Sequence, residues 1–315
     1  MFSRLRPRLV FAQESRSSGD LVVDAIDPAT SIGTVRLTVS DLERSRDFYE
    51  RTLGLLGCAR QDATVALAGP DGVPLVELEE NPSAPALDRS ATGLFHLAVL
   101  VPSRLELARS LWRLAGNRWP LDGASDHLVS EALYLSDPDG NGIEIYRDRP
   151  RGPEWPRSDG QLRMATLPLD LDDLLGELGD VAAQQAGDPG VSDRVDAGTR
   201  IGHVHLQVSD LRQAEDFYCG VLGFEVTVRG YPGALFVSAG GYHHHVGLNT
   251  WNSAGAEPPP AGAIGLRDFE VVLPDQRALE ALLGRVRAAG VTAETSAGGT
   301  LVRDPAGNAI VLRSG

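Results

Sequence analysis

The chain contains no lysine: all 29 basic residues are arginine, set against 43 Asp and Glu, and the formal charge is −14 over 315 residues. A surface this acidic repels phosphate backbones and anionic headgroups, which argues against nucleic acid or a membrane surface as a partner. Cysteine is nearly missing too. Cys58 and Cys219 stand far apart and outside any ligand spacing, which excludes a disulfide framework and a thiolate metal site and fits a reducing compartment. Each is expected to be a small buried hydrophobe. No apolar run approaches the ~20 residues of a membrane span. The stretch Leu9-Val10-Phe11-Ala12 is too short for a secretory core, so residues 1–30 read as an N-terminal extension and the cytoplasm is the expected location.

What the chain does have is a repeat. Val39-Ser40-Asp41-Leu42 leads to Asp47-Phe48-Tyr49 and Leu53-Gly54-Leu55; Val208-Ser209-Asp210-Leu211 leads to Asp216-Phe217-Tyr218 and Leu222-Gly223-Phe224, 169 residues later. Asp137-Pro138-Asp139-Gly140-Asn141 returns as Asp304-Pro305-Ala306-Gly307-Asn308 at an offset of 167. Two motifs in one order at nearly one spacing mark a duplication, with halves at 31–150 and 200–315 and a linker at 151–199 whose single expected helix runs from Asp170 to about Ala186.

Each half divides again. Val35 to Val39 alternates as a strand, Ser40 or Asp41 caps a helix whose apolar face includes Leu42, Phe48 and Tyr49, and shorter strands follow through Leu78. The second unit opens with the strand Leu94 to Val101, continues into a helix from about Ser103 to Ala115, and closes with Ala132–Leu135, the Asp-Pro-Asp-Gly-Asn turn and Gly142–Tyr146. The second half repeats the scheme. The expected fold class is α+β, built from four βαβββ modules.

The seven histidines fall unevenly: His96 and His127 in the second unit, His203, His205, His243, His244 and His245 in the third, none in the outer two. The inner units are therefore expected to share one polar centre. His96 and His203 each sit on an opening strand, and Glu144 lies mid-strand between Ile143 and Ile145, where an unpaired charge is costly and a cation removes the cost. Two imidazoles and a carboxylate are the facial set of non-haem Fe(II) sites. A lone strand histidine is more often a hydrogen-bonded core residue; three such residues at equivalent places reverse that weighting. His205, two residues on and on the same face, is expected to support His203 or replace it. The outer units place Thr34 and Phe269 at the histidine positions and Glu77 and Ile310 at the carboxylate positions, so that half is expected to be metal-free. Tyr134 is core or a donor to a bound phenolate, His127 an exposed loop residue or a site residue, and the His243–His245 run a surface cluster or a source of an acid/base.

At these residues the chain resembles the vicinal oxygen chelate superfamily (glyoxalase, bleomycin resistance and dioxygenase), and within it the bacterial extradiol catechol 2,3-dioxygenases. The resemblance covers about 31–315 and rests on Gly-His-Val-His-Leu with Val-Ser-Asp-Leu, on Gly-Ala-Ser-Asp-His-Leu-Val-Ser-Glu-Ala-Leu-Tyr, on Asp-Pro-Asp-Gly-Asn-Gly-Ile-Glu-Ile-Tyr, and on Gly-Gly-Tyr-His-His-His-Val-Gly-Leu-Asn. It implies two incomplete barrels and one Fe(II), with Mn(II) as the alternative, on His96, Glu144 and His203. It implies an active-site tyrosine at Tyr134, a loop histidine at His127, and an acid/base histidine at His244, with His245 as the alternative because strict strand alternation would put His243 and His245 on the face of Gly247. The familiar two-domain members take all their ligands from the C-terminal half. Here the metal barrel must come from modules two and three.

The implied reaction is cleavage of a catechol beside its diol by O2 to a semialdehyde, with a small aromatic diol and O2 as partners and a homo-oligomer left open. The alternatives are a hydroquinone-cleaving dioxygenase, a glyoxalase-type lyase or isomerase, for which Gly247 lacks the fourth ligand, and a bleomycin-type binding protein.

Overall fold

Four times the chain runs strand, helix, then three strands. Unit one comprises β1 (Ser31–Val39), a helix Leu42–Asp47 that continues as a π-turn through Thr52, β2 (Leu56–Gln61), β3 (Thr64–Ala68) and β4 (Pro74–Glu80). Unit two is β5 (Gly93–Leu100), a helix Arg104–Gly116, β6 (Gly123–Asp126), β7 (Ser130–Ser136) and β8 (Gly142–Asp148). The linker carries β9 (Arg157–Ser158), β10 (Gln161–Leu162), β11 (Leu167–Pro168) and a helix Leu171–Gly176. Unit three is β12 (Arg200–Gln207), a helix Leu211–Tyr218, β13 (Glu225–Val228), β14 (Ala234–Ser238) and β15 (Val246–Asn249). Unit four is β16 (Gly265–Leu273), a helix Gln276–Ala288, β17 (Ala293–Ser296), β18 (Gly299–Arg303) and β19 (Ala309–Ser314). The computed structural model describes residues 24–152, 155–158, 161–179, 194–296 and 298–315.

Every unit helix starts on a side-chain cap: Asp41, Ser103, Asp210 and Asp275 each accept a first-turn backbone N–H, satisfying donors the helix cannot pair internally. Of the pair Ser40 and Asp41, the aspartate does the capping. Ser40 instead donates its hydroxyl to Asp139 Oδ1 at 2.6 Å. The linker helix begins at its Asp170 cap but ends at Gly176, earlier than the sequence suggests; positions 180–186 lie outside the described residues.

The recurring motifs touch. Tyr49 of the first Asp-Phe-Tyr donates its hydroxyl to Asp137 Oδ2 at 3.2 Å, and Tyr218 of the second donates to Asp304 Oδ2 at 3.1 Å. Asp137 and Asp304 also gather the backbone N–H groups of their own turns. The tyrosine on one unit's helix thus pins the turn of the next, which is why the two motifs duplicate together.

Strand pairing runs the other way. Units two and three, with the linker strand β11, form one nine-stranded sheet in the order β11-β6-β7-β8-β5-β12-β15-β14-β13, and units one and four form an eight-stranded sheet, β17-β18-β19-β16-β1-β4-β3-β2. The seams are the antiparallel pairs β5–β12 and β1–β16. Each sheet therefore crosses the two halves, while the Tyr–Asp ties hold each half together. One apolar core, including Leu37, Tyr49, Leu107, Tyr218, Phe269 and Leu282, runs through both sheets and the four unit helices. Cys58 is exposed and Cys219 half-buried, against expectation: Cys58 lies on β2, the outermost strand of its sheet, most of whose residues face solvent. Among the described residues no helix is long and apolar enough to cross a membrane.

Candidate metal centre

The site lies on the inner face of the nine-stranded sheet, and strand register builds it. Tyr134 on β7 sits opposite Glu144 on β8, Glu144 beside Ala98 on β5, and Ala98 opposite His203 on β12. Neighbouring strands are roughly 4.8 Å apart, so Glu144 and His203 are separated by a whole strand. Because the intervening residue is alanine, their side chains meet over it: His203 Nε2 is 3.1 Å from Glu144 Oε2. His96, two residues before Ala98 and so on the same face, brings its Nε2 to 2.9 Å from that same oxygen. Gly142 makes this approach feasible, since a Cβ there would lie 2.1 Å from the Phe95 carbonyl oxygen and 3.1 Å from His96 Cβ.

His96, Glu144 and His203 are 6%, 3% and 1% exposed, and their ligating atoms all lie within 4.8 Å of one another. Burial pushes the Glu144 carboxyl up, but His203 and His96 together outweigh it and hold it well below the usual carboxylate range. Burial takes His203 down to about 4, against the pull of Glu144, so its imidazole is neutral near pH 7. A divalent cation fits this set. Although 2.9 Å away, His96 Nε2 makes no hydrogen bond to Glu144 because its direction is wrong; both Nε2 atoms converge on one oxygen, as ligands around a shared centre do. Neutral imidazole and carboxylate are also the donor types such ions take.

The flanking groups form a cavity of about 520 Å³. His205 faces His96 across the seam, with ring centroids 5.0 Å apart, and lines the cavity without belonging to the converging triad. Burial, reinforced by His96 and His203, keeps it neutral, and its Nε2 is buried with no partner. Its ring occupies the space that Gly247 leaves, where a Cβ would come within 2.9 Å of His205 Cγ. Tyr134 and His127 meet at 2.6 Å, hydroxyl to Nε2, and His127 Nδ1 lies 2.7 Å from the Ala165 carbonyl oxygen. A carbonyl only accepts, so Nδ1 carries a proton, and in the neutral ring Nε2 accepts from Tyr134. Burial, with Glu144 next, raises the Tyr134 hydroxyl well above its ordinary value.

The three successive histidines are all buried, not a surface cluster. They precede β15 rather than belonging to it, so strand alternation does not govern where they point. His244 lines the cavity and lies against His203 with centroids 4.0 Å apart. Burial, then His203, keeps it neutral. His245 does not line the cavity; its Nδ1 accepts the Ala239 N–H at 3.1 Å.

Sequence reading missed the walls. The linker is part of the site: Met164 and Thr166 line the cavity, Thr166 Oγ1 meets Tyr231 hydroxyl at 2.8 Å, and Ala165 sets the His127 tautomer. Phe95, Phe236 and Trp251 supply aromatic surface. The pairing of β11 with β6 and the packing of Trp155 and Leu162 against Phe236 and Tyr242 bring the linker here, and no motif announces a two-residue strand.

The other sheet corrects an alignment. Gly93 and Gly265 open β5 and β16 with matching backbone, φ +141 and +129; three residues on stand His96 and Asp268. The register agrees, since His205 pairs His96 as Arg36 pairs Asp268, and Ala98 pairs Glu144 as Glu270 pairs Val311. The counterparts of His96 and Glu144 are therefore Asp268 and Val311, not Phe269 and Ile310, which point into the apolar core. At the place of His205 the Arg36 guanidinium bonds Asp268 and Glu270, each at 2.7 Å, with Glu77 at 3.5 Å. The protein's own cation fills the centre of this half-barrel.

The pattern of the Glyoxalase/Bleomycin resistance protein/Dioxygenase superfamily matches residues 31–145 and 200–312. The chain belongs to that superfamily. It is 45% identical over 291 residues to catechol-2,3-dioxygenase of Bacillus subtilis (strain 168), covering 91% of this chain and 98% of the relative. The crystal structure of glyoxalase I from Zea mays matches with a TM-score of 0.55 at 16% identity, over 90% of this chain and 92% of that one, a likeness of fold.

Proposed function

We propose that the protein is an Fe(II)-dependent extradiol dioxygenase that cleaves a catechol with O2 to a semialdehyde, both oxygen atoms entering the product. The observation that carries this reading is the convergence of two imidazoles and one carboxylate beside a cavity lined by His96, Glu144, His244 and Tyr134. The similarity to a catechol-2,3-dioxygenase supports the substrate class.

His96, Glu144 and His203 would hold the iron, which supplies chelation of both diol oxygens and activation of O2. The chain's own residues do the rest. The aromatic walls, Phe95, Phe236 and Trp251 among them, accept a flat ring and exclude water. His244, neutral and beside His203, takes a phenolic proton and returns it as the product forms. Tyr134, its hydroxyl hydrogen directed at His127 Nε2, presents its oxygen lone pairs to the substrate and donates to it only when that hydroxyl turns away from His127. The His205 ring at Gly247 closes the position where a lyase of this scaffold would need a second carboxylate.

The test is anaerobic reconstitution with Fe(II), and in parallel Mn(II), followed by catechol and air, recording oxygen uptake and visible absorbance. A yellow product with equimolar oxygen consumption is expected. No uptake across a panel of catechols and hydroquinones refutes the reading; uptake with hydroquinones alone moves the activity to that class.

A further inference from the structure

Behind the cavity wall lies a chain of polar contacts that the proposed chemistry has not used. Asp148 ends β8, four residues beyond Glu144. Its Oδ1 accepts from His243 Nε2 at 2.9 Å and from the Tyr242 hydroxyl at 3.1 Å. With the Tyr242 proton so engaged, the Tyr146 hydroxyl donates to the Tyr242 oxygen at 2.6 Å. His243 is wholly buried, and Tyr242 lies over it with ring centroids 4.0 Å apart, so the imidazole has no room to turn. Its Nδ1 is 2.7 Å from His244 Nδ1.

Donor and acceptor assignments then propagate along the chain. The Asp148 carboxylate only accepts, so the proton of a neutral His243 sits on Nε2 and its Nδ1 offers a lone pair. Two lone pairs cannot face each other at hydrogen-bond distance, so His244 Nδ1 carries a proton and donates it. The remaining nitrogen, His244 Nε2, is left bare on a residue that lines the cavity. An imidazole free in water exchanges between both tautomers; with His243 neutral, these contacts leave His244 only one.

We infer that Asp148 and His243 are positioning residues for His244, fixing it as the Nδ1–H tautomer with the Nε2 lone pair available to the cavity. The logic is that of a carboxylate orienting a histidine base, extended by one imidazole. The inference rests on the proposed function for its catalytic meaning and on the hydrogen-bond chain for its geometry, and the two are tested separately.

Nitrogen NMR of the full chain, labelled at histidine and loaded with diamagnetic Zn(II), reads the tautomer without any turnover. A pyrrole-type Nδ1 and a pyridine-type Nε2 at His244 are expected; a proton on Nε2 overturns the inference whatever the activity. In the iron enzyme, His243→Leu removes both contacts. His243→Gln can donate to Asp148 and accept from His244. Loss of a correctly held base costs about a hundredfold or more. His243→Leu is therefore expected to lower kcat by about that factor at unchanged iron content and unchanged anaerobic catechol Kd, and His243→Gln to recover most of it. Equal loss in both variants, no loss in either, or loss of iron overturns the assignment. If the parent cleaves no diol, the proposed function fails and the NMR alone decides the inference.

Discussion

Acid should destabilise this protein through its buried histidines, and His245 offers the cleanest measure. Its imidazole is 9% exposed, its Nδ1 accepts the Ala239 N–H, and Ser238 Oγ lies 3.0 Å away. Burial, with His243 and Arg151 next, takes its pKa from 6.5 down to about 3. Since the folded value lies below the unfolded one, the unfolded chain takes up the proton first. Stability is complete above pH 6.5 and is lost as pH falls toward 3. Each pH unit in that window costs about 1.4 kcal/mol for one proton, so by pH 5 the loss from His245 is about 2 kcal/mol. His203, lowered to about 4 by burial, adds a similar loss in metal-free protein.

The assay is urea denaturation at pH 7 and pH 5 in chelator, on the parent and on His245→Asn. The asparagine carboxamide can still accept from Ala239 but does not titrate. Between the two pH values the variant is expected to lose about 2 kcal/mol less than the parent. Carboxylates titrate alike in both proteins and cancel in the comparison. Equal losses would refute the reasoning. Because His245 does not line the cavity, His245→Asn is also expected to keep the proposed ring-cleaving activity, whereas His244→Asn is expected to lose it.

Two substitutions separate the sheets. Gly142→Ala places a methyl group against the Phe95 carbonyl and His96 Cβ, forcing β8 away from β5; a stability loss of about 2 kcal/mol together with reduced metal uptake on Fe(II) reconstitution, by elemental analysis, is expected, and full uptake would refute it. Arg36→Leu strips the cation from Asp268, Glu270 and Glu77 in the other sheet, leaving Glu270, 4% exposed, with Arg313 and the Thr34 N–H. A loss of about 3 kcal/mol at unchanged iron content is expected, and a drop in iron would show that the two centres are coupled.

Much of this was legible because the signals were local and duplicated. The Asp-Phe-Tyr and Asp-Pro-x-Gly-Asn motifs marked four units, and the histidine-free outer units pointed to a centre shared by the inner two; the sheet order pairs those same units. The caps at Asp41, Ser103, Asp210 and Asp275 follow from residue type and position. The register errors have a physical cause. On a strand, a slip of one residue exchanges the inner face for the core, so placing Phe269 where Asp268 belongs turned a charged position into an apolar one. Counting from the two opening glycines would have prevented it.

The contacts that sequence reading missed all depend on distance in the chain rather than pattern within it. Asp148 and His243 lie 95 residues apart, and Ala165 reaches His127 across 38. Neither pair carries a motif. An aspartate ending a strand and a carbonyl in a linker are ordinary until two sheet halves close on them. The converging ligands could be guessed because a buried carboxylate between isoleucines demands a partner. The groups behind His127 and His244 could not, because Asp148, Ala165 and Tyr242 are satisfied by their neighbours and leave no local conflict to explain. That asymmetry says where further functional residues of this site lie: among the hydrogen-bonded residues one step behind the cavity wall, where each proton has only one place to go.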